Sequence, residues 1–255
     1  MSSLRGLTEE KEERIVSWFS CGAASAVATK LMLAEGKPVT IAYCRVKEEH
    51  PDNERFLKEC EKWFGQEIII LENEKYEGSC HNVFKKQFFR TPHGSPCTSL
   101  LKKQVRLKFQ QDNDVIVFGY TAEEEGRLNN FIDRNNEVPV RAPLVEKGIT
   151  KGEVLAMIER AGIELPEMYK LGYDHNNCVG CVKGGMGYWN KIRVDFPKEF
   201  QEYAELERER GYTILKDKKG PIYLDELDPN RGRMSDEPKI ECGIMCEIAM
   251  AEYGG

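Results

Sequence analysis

The sequence lacks the segments that would direct it into a membrane or a secretory pathway. Its first 13 residues are polar, without the apolar core of a signal peptide, and its longest apolar runs, such as 68–71 and 115–118, are far too short to cross a bilayer. Excess positive charge is also missing, since 37 Lys and Arg face 43 Asp and Glu, for a net charge of −6. An acidic chain is a poor default candidate for wrapping a nucleic acid. We therefore expect a cytoplasmic protein without a membrane partner.

Cysteine is too sparse for a disulfide scaffold. The nine cysteines among 255 residues are an odd number, at a density well below that of small secreted disulfide-rich domains. In a reducing compartment, clustered cysteines more often indicate metal or redox chemistry than structural disulfides. The common nucleotide motifs are absent too, because the sequence contains neither a Walker A lysine loop nor GxGxxG. Any nucleotide site must therefore be of another type.

Strands and helices alternate along the first half of the sequence. Apolar runs predict strands at 15–19, 39–46, 67–71 and 115–119. Helical periodicity predicts helices between these strands, which end near Gly36 and span 52–64 and 100–110. This alternation predicts an α/β fold with a Rossmann-like, doubly wound, mostly parallel sheet and helices on both faces.

The second half of the sequence is less regular. A capping box at Thr150 predicts a helix over the apolar run 154–161. Gly and Asn predict a loop at 172–190, charge predicts an exposed helix at 196–210, and 216–238 is expected to be a polar, mobile stretch. The expected division is a polar lead-in, an α/β domain with a cysteine-containing loop, and a C-terminal helix with a cysteine-containing tail: residues 1–13, 14–190 and 191–255.

The turn after the first strand has the composition of an anion site. Residues 20–25 read SCGAAS, so backbone N–H groups and the positive end of a helix dipole meet there, and Ser20 and Ser25 add hydroxyl donors. A tight turn that needs small residues for packing explains the same pattern. The segment 119–127 follows the fourth strand, at the edge where open sheets bind ligands, although an acidic helix start explains it as well.

Two pairs of cysteines have spacings that indicate chemistry. CVGC at 178–181 lies in a Gly-rich loop that lets both thiolates reach one metal or cluster, and a redox dithiol or two buried cysteines are the alternatives. Cys97 follows Pro96 at the start of a helix, where the helix N-terminus favours the thiolate. Cys242 and Cys246 lie in a polar tail, either as an accessible nucleophile and its partner or as metal ligands or spare thiols.

In this order, the motifs resemble those of the phosphoadenosine and adenosine phosphosulfate reductases, in the PP-loop superfamily of adenine-nucleotide enzymes. FSCGAAS at 19–25 resembles the SGGxxS phosphate loop, 119–127 the GxRxxES motif, and KIECG at 239–243 the C-terminal ECG motif. Cys97 and the lysines after it resemble the family's cysteine-plus-basic helix. The resemblance implies a PP-loop fold and an adenine-nucleotide substrate, with these binding residues: Ser20, Cys21, Gly22, Ala23, Ser25, Lys102, Gly119 and Arg127.

The resemblance also implies roles for five cysteines. Cys97, Cys178 and Cys181 would be the ligands of a 4Fe-4S cluster, with zinc as the alternative metal. Cys242 would be the catalytic nucleophile, and Cys246 its partner or a spare ligand.

Two departures from the family pattern bear on these roles. Thr98 stands where the iron–sulfur reductases have a second cysteine, so three thiolates would leave one iron open. Ala23 and Ala24 stand where ATP-hydrolysing members have Lys and Asp. The second departure argues against ATP pyrophosphatase activity, because the cation that would meet the phosphates is missing.

Two activities fit this pattern. The first is reduction of a sulfonucleotide, with a thioredoxin-like protein as the thiol donor. The second is sulfur transfer to tRNA or DNA, in which the helix at 100–108, with four basic residues, would bind the polynucleotide. A nucleotide-binding sensor without catalysis is a third alternative, and a homodimer is compatible with all three.

Overall fold

The computed structural model describes residues 12–92 and 94–237. Five strands form one parallel sheet in the order β3-β2-β1-β4-β5. The strands of this sheet are β1 (Arg14–Trp18), β2 (Val39–Cys44), β3 (Ile69–Leu71), β4 (Asp114–Val117) and β5 (Val140–Arg141). The predicted α/β class, parallel sheet and helices on both faces are confirmed.

Helices connect the strands and continue beyond the sheet. The α-helices within the described residues are α1 (Ala23–Leu33), α2 (Asn53–Phe64), α3 (Cys80–Phe84), α4 (Pro96–Thr98), α5 (Gln104–Phe109), α6 (Glu125–Arg134), α7 (Pro143–Glu146), α8 (Lys151–Arg160), α9 (Glu167–Lys170), α10 (Met186–Asp195) and α11 (Pro197–Arg210). A π-helical turn, Ser99–Lys103, joins α4 to α5. None of these helices is long and apolar enough to cross a membrane.

Apolar side chains of β1 and the residue after it point alternately to the two faces of the sheet. Ile15 and Phe19 pack into a core with α1 and α2, whereas Val16 and Trp18 pack on the opposite face with residues of α5 and α6. Side chains of a strand alternate between faces, so a five-residue strand that is apolar on both sides must be covered on both. Because β1 lies between β2 and β4, the crevice at their carboxyl ends is the topological switch point of the sheet, where ligands of open α/β sheets bind.

A third apolar core lies beside the sheet and contains the cysteine loop. It includes buried residues of α10 and α11, among them Trp189, Ile192 and Tyr203. The prediction of a loop over 172–190 was wrong in its last part, because α10 begins at Met186 directly after Gly185. High Gly content concealed the apolar residues that α10 buries at spacings of three and four.

The prediction of an exposed helix over 196–210 also needs correction. Helix α11 buries Phe200, Tyr203, Ala204 and Glu207, which follow an i, i+3, i+4, i+7 pattern among its many charges. The stretch after it has structure as well. Two short strands, β6 (Leu215–Asp217) and β7 (Gly220–Ile222), pair in antiparallel fashion, and turns follow as far as residue 237.

Candidate functional site

A cavity of about 330 Å³ lies at the carboxyl ends of β1 and β4. Its wall is formed mainly by the turn after β1, the segment from β4 into α6, the first turns of α8, and the loop from α9 toward the CxxC sequence. Seven of the eight predicted nucleotide-binding residues are in its wall, namely Ser20, Gly22, Ala23, Ser25, Lys102, Gly119 and Arg127. The sheet topology therefore brings together residues that are about 100 positions apart in the sequence.

The turn after β1 is held in shape by its own serines. The Ser25 hydroxyl accepts a hydrogen bond from the Ser20 N–H at 3.0 Å and donates to the Gly22 carbonyl at 2.9 Å. Gly22 is the N-cap of α1, and it makes no side-chain capping hydrogen bond. The N-terminus of this eleven-residue helix lines the cavity, an arrangement that favours anions.

Tyr169 contributes to this end of the cavity and was not predicted from the sequence. Its hydroxyl accepts hydrogen bonds from the backbone N–H groups of Ala23 and Asn176. Burial raises the pKa of Tyr169 to about 12, so the phenol stays protonated at neutral pH. A tyrosine on a four-residue helix far along the chain carries no sequence signal for this contact.

The eighth predicted binding residue, Cys21, is not in the cavity wall. Its backbone has a positive φ of 58°, and its thiol is buried against the Asn53 carbonyl at 3.3 Å. The side chain is therefore part of the core between α1 and α2 and is not in the cavity wall. Burial, followed by the nearby Glu49 carboxylate, raises the pKa of Cys21 well above its usual value, so this thiol is unreactive.

Charged groups of both signs line the cavity. The positive ones are Lys102, Arg127 and Lys151, and the negative ones are Glu123 and Glu124. The Arg127 guanidinium pairs with Glu124 and lies 5.0 Å from the centre of the Tyr120 ring. The arginine is thereby oriented along the cavity wall.

Lys102 is anchored by a buried carboxylate. Its Nζ lies 3.1 Å from Oε1 of the buried Glu49, which also accepts hydrogen bonds from Asn53 at 3.1 Å and from the Tyr43 hydroxyl. A buried carboxylate with three donors is well satisfied, and the ammonium group of Lys102 remains close to the cavity.

The predicted metal ligands form one buried group beside this region. Cys97, Cys178 and Cys181 belong to the same apolar core, and Cys80, which had no predicted role, joins them. The Cys80 side chain is hydrogen-bonded to both Cys178 and Cys97. Sequence reasoning missed Cys80 because its position in a five-residue helix matches no ligand spacing.

The pKa of Cys97 is lowered, the direction expected from the sequence. The hydrogen bond from Cys80, then the nearby Lys183 and Lys102, lower the pKa of Cys97, whereas its burial raises it. These neighbours favour the thiolate. The predicted catalytic residues Cys242 and Cys246 lie outside the described residues.

Comparison with known proteins fits this geometry. Residues 14–184, more than half of the chain, match the phosphoadenosine phosphosulfate reductase domain family. The chain belongs to this family. Members of the family bind adenine nucleotides, which agrees with the position of the cavity at the switch point of the sheet.

Individual relatives of this reductase-domain chain are distant. An uncharacterized protein of Methanocaldococcus jannaschii, MJ0066, is 23% identical over 222 residues, which are 81% of this chain and 44% of that protein. The chain thus spans less than half the length of this curated relative. Two solved structures are similar: phosphoadenylyl-sulfate reductase from Candida auris in a phosphate complex (TM-score 0.49, 14% identity, 64% of this chain and 80% of that one) and NMN synthetase from Francisella tularensis (TM-score 0.42, 15% identity, 72% and 77%).

The cysteine group of this reductase-domain chain has the donor atoms of a thiophilic metal site but not the arrangement of one. Cysteine thiolates are the ligands of structural zinc and of iron–sulfur clusters, and four cysteines lie in this one apolar core. Within residues 12–92 and 94–237, no group of three or more His, Cys, Asp or Glu side chains is arranged to hold a metal ion. Metal binding by these thiols would need their deprotonation and a local adjustment.

The basic helix expected to bind a polynucleotide does not present four cations. Lys102 and Arg106 are buried, and only Lys108 is fully exposed, with Lys103 half-buried. Burial also lowers the pKa of Arg106. This surface of the reductase domain is therefore a weak candidate for a nucleic-acid interface.

Proposed function

We propose that this chain is a thiol-dependent enzyme that reduces a sulfonucleotide such as phosphoadenylyl sulfate or adenylyl sulfate. The observation that carries the proposal is the cavity, because its wall joins the turn after β1 to Gly119 and Arg127 at the switch point of a reductase-domain fold. Its volume of about 330 Å³ lies in the range of small-molecule sites.

The charges of the cavity suit a nucleotide with several oxyanions. The N-terminus of α1 offers backbone N–H donors, and Lys102, Arg127 and Lys151 offer positive charge on the facing walls. Glu123 and Glu124 balance part of this charge, and Glu124 orients Arg127. The site would thus hold the anionic part of the substrate and leave its sulfuryl group open to a nucleophile.

The nucleophile in this proposal is the Cys242 thiolate. It attacks the sulfur of the sulfuryl group, an S–S bond forms, and the S–O bond to the nucleotide breaks, so the nucleotide phosphate leaves with the electron pair. A second thiol, from Cys246 or from a thioredoxin-like donor, then attacks the Cys242 sulfur. Sulfite leaves, a disulfide forms, and the two thiols have supplied the two electrons of the reduction.

Cys97, Cys178 and Cys181 would hold the metal group that the family resemblance implies. A 4Fe-4S cluster or a zinc ion bound there would join the chain segments that carry these three cysteines. The residues of the chain have the positioning role: Glu49 anchors Lys102, and Lys102 lies between the cysteine group and the cavity.

The test is sulfite release from each sulfonucleotide by anaerobically prepared protein with a thiol donor. Cys242→Ser should abolish release, and Arg127→Ala should raise KM about tenfold or more, because it removes a charge-assisted contact of about 1.5–3 kcal/mol. Arg134→Ala, an exposed arginine at the other end of α6, is the matched control and should behave as the unaltered protein. Absence of sulfite from both nucleotides, with nucleotide binding intact, would refute the proposed reaction.

A further inference from the structure

We infer that Asn176 is a positioning residue of the nucleotide cavity. Its side-chain amide holds Cys21 in a left-handed backbone conformation, and this conformation shapes the turn after β1 that forms part of the cavity wall. The inference rests on nucleotide binding in the cavity, which the proposed function also requires, and not on the reduction itself. Sequence reasoning assigned no role to Asn176.

Cys21 has a backbone conformation that needs support from its surroundings. Its φ of 58° lies in the left-handed region, where the Cβ of a residue other than glycine is crowded by the backbone. The SGGxxS pattern that residues 20–25 resemble has glycine at this position, and glycine adopts such a φ without this crowding. A strained residue persists only where the surrounding structure over-determines its conformation. The conformation of Cys21 therefore depends on the groups that bind it.

Two hydrogen bonds hold Cys21, one at its carbonyl and one at its thiol. Asn176 Nδ2 donates to the Cys21 carbonyl at 2.7 Å, and the Cys21 thiol donates to the Asn53 carbonyl at 3.3 Å. The carbonyl and the N–H of one trans peptide point in opposite directions, so the bond to the Cys21 carbonyl also fixes the direction of the Gly22 N–H. Gly22 and Ala23 line the cavity directly after this peptide. The Asn176 amide thereby orients the backbone at the start of α1.

The orientation of the Asn176 amide follows from the carboxylate of Glu49. A carboxylate only accepts hydrogen bonds, so Asn53 presents Nδ2 to Glu49 at 3.1 Å and turns its Oδ1 toward Asn176. Asn176 must then present Nδ2 to that oxygen, which lies 2.7 Å away, and the second N–H of the same amide reaches the Cys21 carbonyl. Glu49 thus determines the direction of every hydrogen bond in this series, and Lys102 at the cavity wall pairs with the same carboxylate.

The backbone next to Asn176 is fixed as well. The Val179 N–H donates to the Glu48 carbonyl at 2.8 Å, and Glu49 pairs with Cys178 in an isolated antiparallel bridge. Asn176 itself is only 7% exposed. A buried side chain on a docked backbone has few alternative positions, so the amide is held firmly against the turn.

Loss of the amide should act on nucleotide binding through the population of the correct turn. Without its hydrogen bond, Cys21 relaxes toward a negative φ, and the apparent dissociation constant rises by the inverse of the fraction that keeps the binding conformation. A loss of about tenfold in affinity corresponds to about one chain in ten in that conformation. With glycine at residue 21, left-handed and right-handed conformations are about equally favourable, so about half of the chains keep the correct turn.

The test is a double-mutant cycle at residues 21 and 176, read by calorimetric titration with AMP and with adenosine bisphosphate, the nucleotides that the proposed reaction would release. Asn176→Ala is measured in the unaltered, Cys21→Gly and Cys21→Ala backgrounds. Cys21→Ala is the matched control for Cys21→Gly, because both remove the thiol but alanine keeps the Cβ. Asn190→Ala is the matched control for Asn176→Ala, since Asn190 Nδ2 also donates to two carbonyl oxygens, those of Asp228 at 2.9 Å and Arg231 at 2.7 Å, away from the cavity wall.

We expect Asn176→Ala to weaken nucleotide affinity about tenfold in the unaltered and Cys21→Ala backgrounds, but only about two- to threefold in the Cys21→Gly background. Asn190→Ala should lower the denaturant midpoint of unfolding without a change in affinity. Asn176→Ser, a smaller polar replacement, is measured in the same backgrounds and should follow the same order. A purely structural role of Asn176 would not produce this dependence on residue 21.

Several results would overturn the inference. Unchanged affinity in Asn176→Ala, an equal loss with and without Cys21→Gly, or an equal loss in Asn190→Ala would each do so. Variants of Asn176 that do not fold even with Cys21→Gly would make the amide a purely structural group, and an unaltered chain that binds neither nucleotide would remove the site. The proposed reaction fails on different evidence, namely absence of sulfite from a chain that binds nucleotide.

Discussion

Gly119→Ala tests the contact on which the cavity depends. A Cβ at residue 119 would lie 2.6 Å from the Ser25 nitrogen, 2.7 Å from the Ser25 Cα and 2.8 Å from the Ala24 carbonyl carbon, whereas ordinary contacts begin at 3.4 Å. These are backbone atoms of α1, so the end of β4 and the start of the helix must separate by about 0.8 Å at the closest point. Overpacking of this kind costs about 1–3 kcal/mol. The helix N-terminus that faces the cavity moves with it.

We expect Gly119→Ala to lower the free energy of unfolding by about 1–3 kcal/mol, which corresponds to about 2–4 °C of melting temperature for each kcal/mol, and to weaken adenine-nucleotide binding. Denaturant unfolding and calorimetric titration measure the two effects. Gly126→Ala is the control, because a Cβ there meets nothing within 4 Å and its helical position favours alanine by up to about 1 kcal/mol. If Gly119→Ala is as stable as the unaltered protein and binds nucleotide equally well, the reasoning is wrong.

Three further changes test the surroundings of the site. Gly180→Ala places a Cβ 2.6 Å from the Tyr203 ring at a φ of +74°, so the CxxC loop should be distorted and metal counts should fall. Lys102→Met leaves the buried Glu49 carboxylate without its cation and should cost about 3–5 kcal/mol in denaturant unfolding, part of which the double variant with Glu49→Gln should recover. Burial raises the pKa of Glu207 from 4.5 to about 7. The protonated carboxyl therefore stabilises the fold below pH 4.5, and this stabilisation is lost as the pH rises through about 7. The loss in free energy of unfolding is about 3 kcal/mol at most. Glu207→Gln should reduce the pH dependence of the free energy of unfolding over that window, and an unchanged pH dependence would contradict the raised pKa of Glu207.

The sheet was predictable because its strands are buried on both faces and leave continuous apolar runs. Residues of β1, β2 and β4 were located to within a few positions, whereas β5 was missed because two residues after a proline make no periodic pattern. The prediction was wrong for α10, which was expected to be a loop, and for α11, which was expected to be exposed. Gly in one and charge in the other masked apolar residues that only the third core makes visible.

The cavity wall contains residues that a sequence motif places and others that arrive from distant parts of the chain. The turn at 20–25 and Gly119 belong to local strand-to-helix connections, so the sequence contains their geometry. Tyr169 and Cys80 reach their places through tertiary packing of short helices, which have no spacing of their own. A sequence shows that Cys80 is a cysteine, and only the fold shows which sulfurs it meets.

The dipeptide at 48–49 connects the two candidate sites. Glu48 holds Cys80 and the backbone of the CxxC loop, and its neighbour Glu49 holds Lys102 at the cavity wall. These adjacent residues are joined by one planar peptide bond, and both side chains are hydrogen-bonded. We therefore expect a change at the sulfur atoms that displaces the backbone of Glu48 to affect the anchor of Lys102. This short connection gives the cysteine group a physical route to the cavity without any direct contact with a ligand in it.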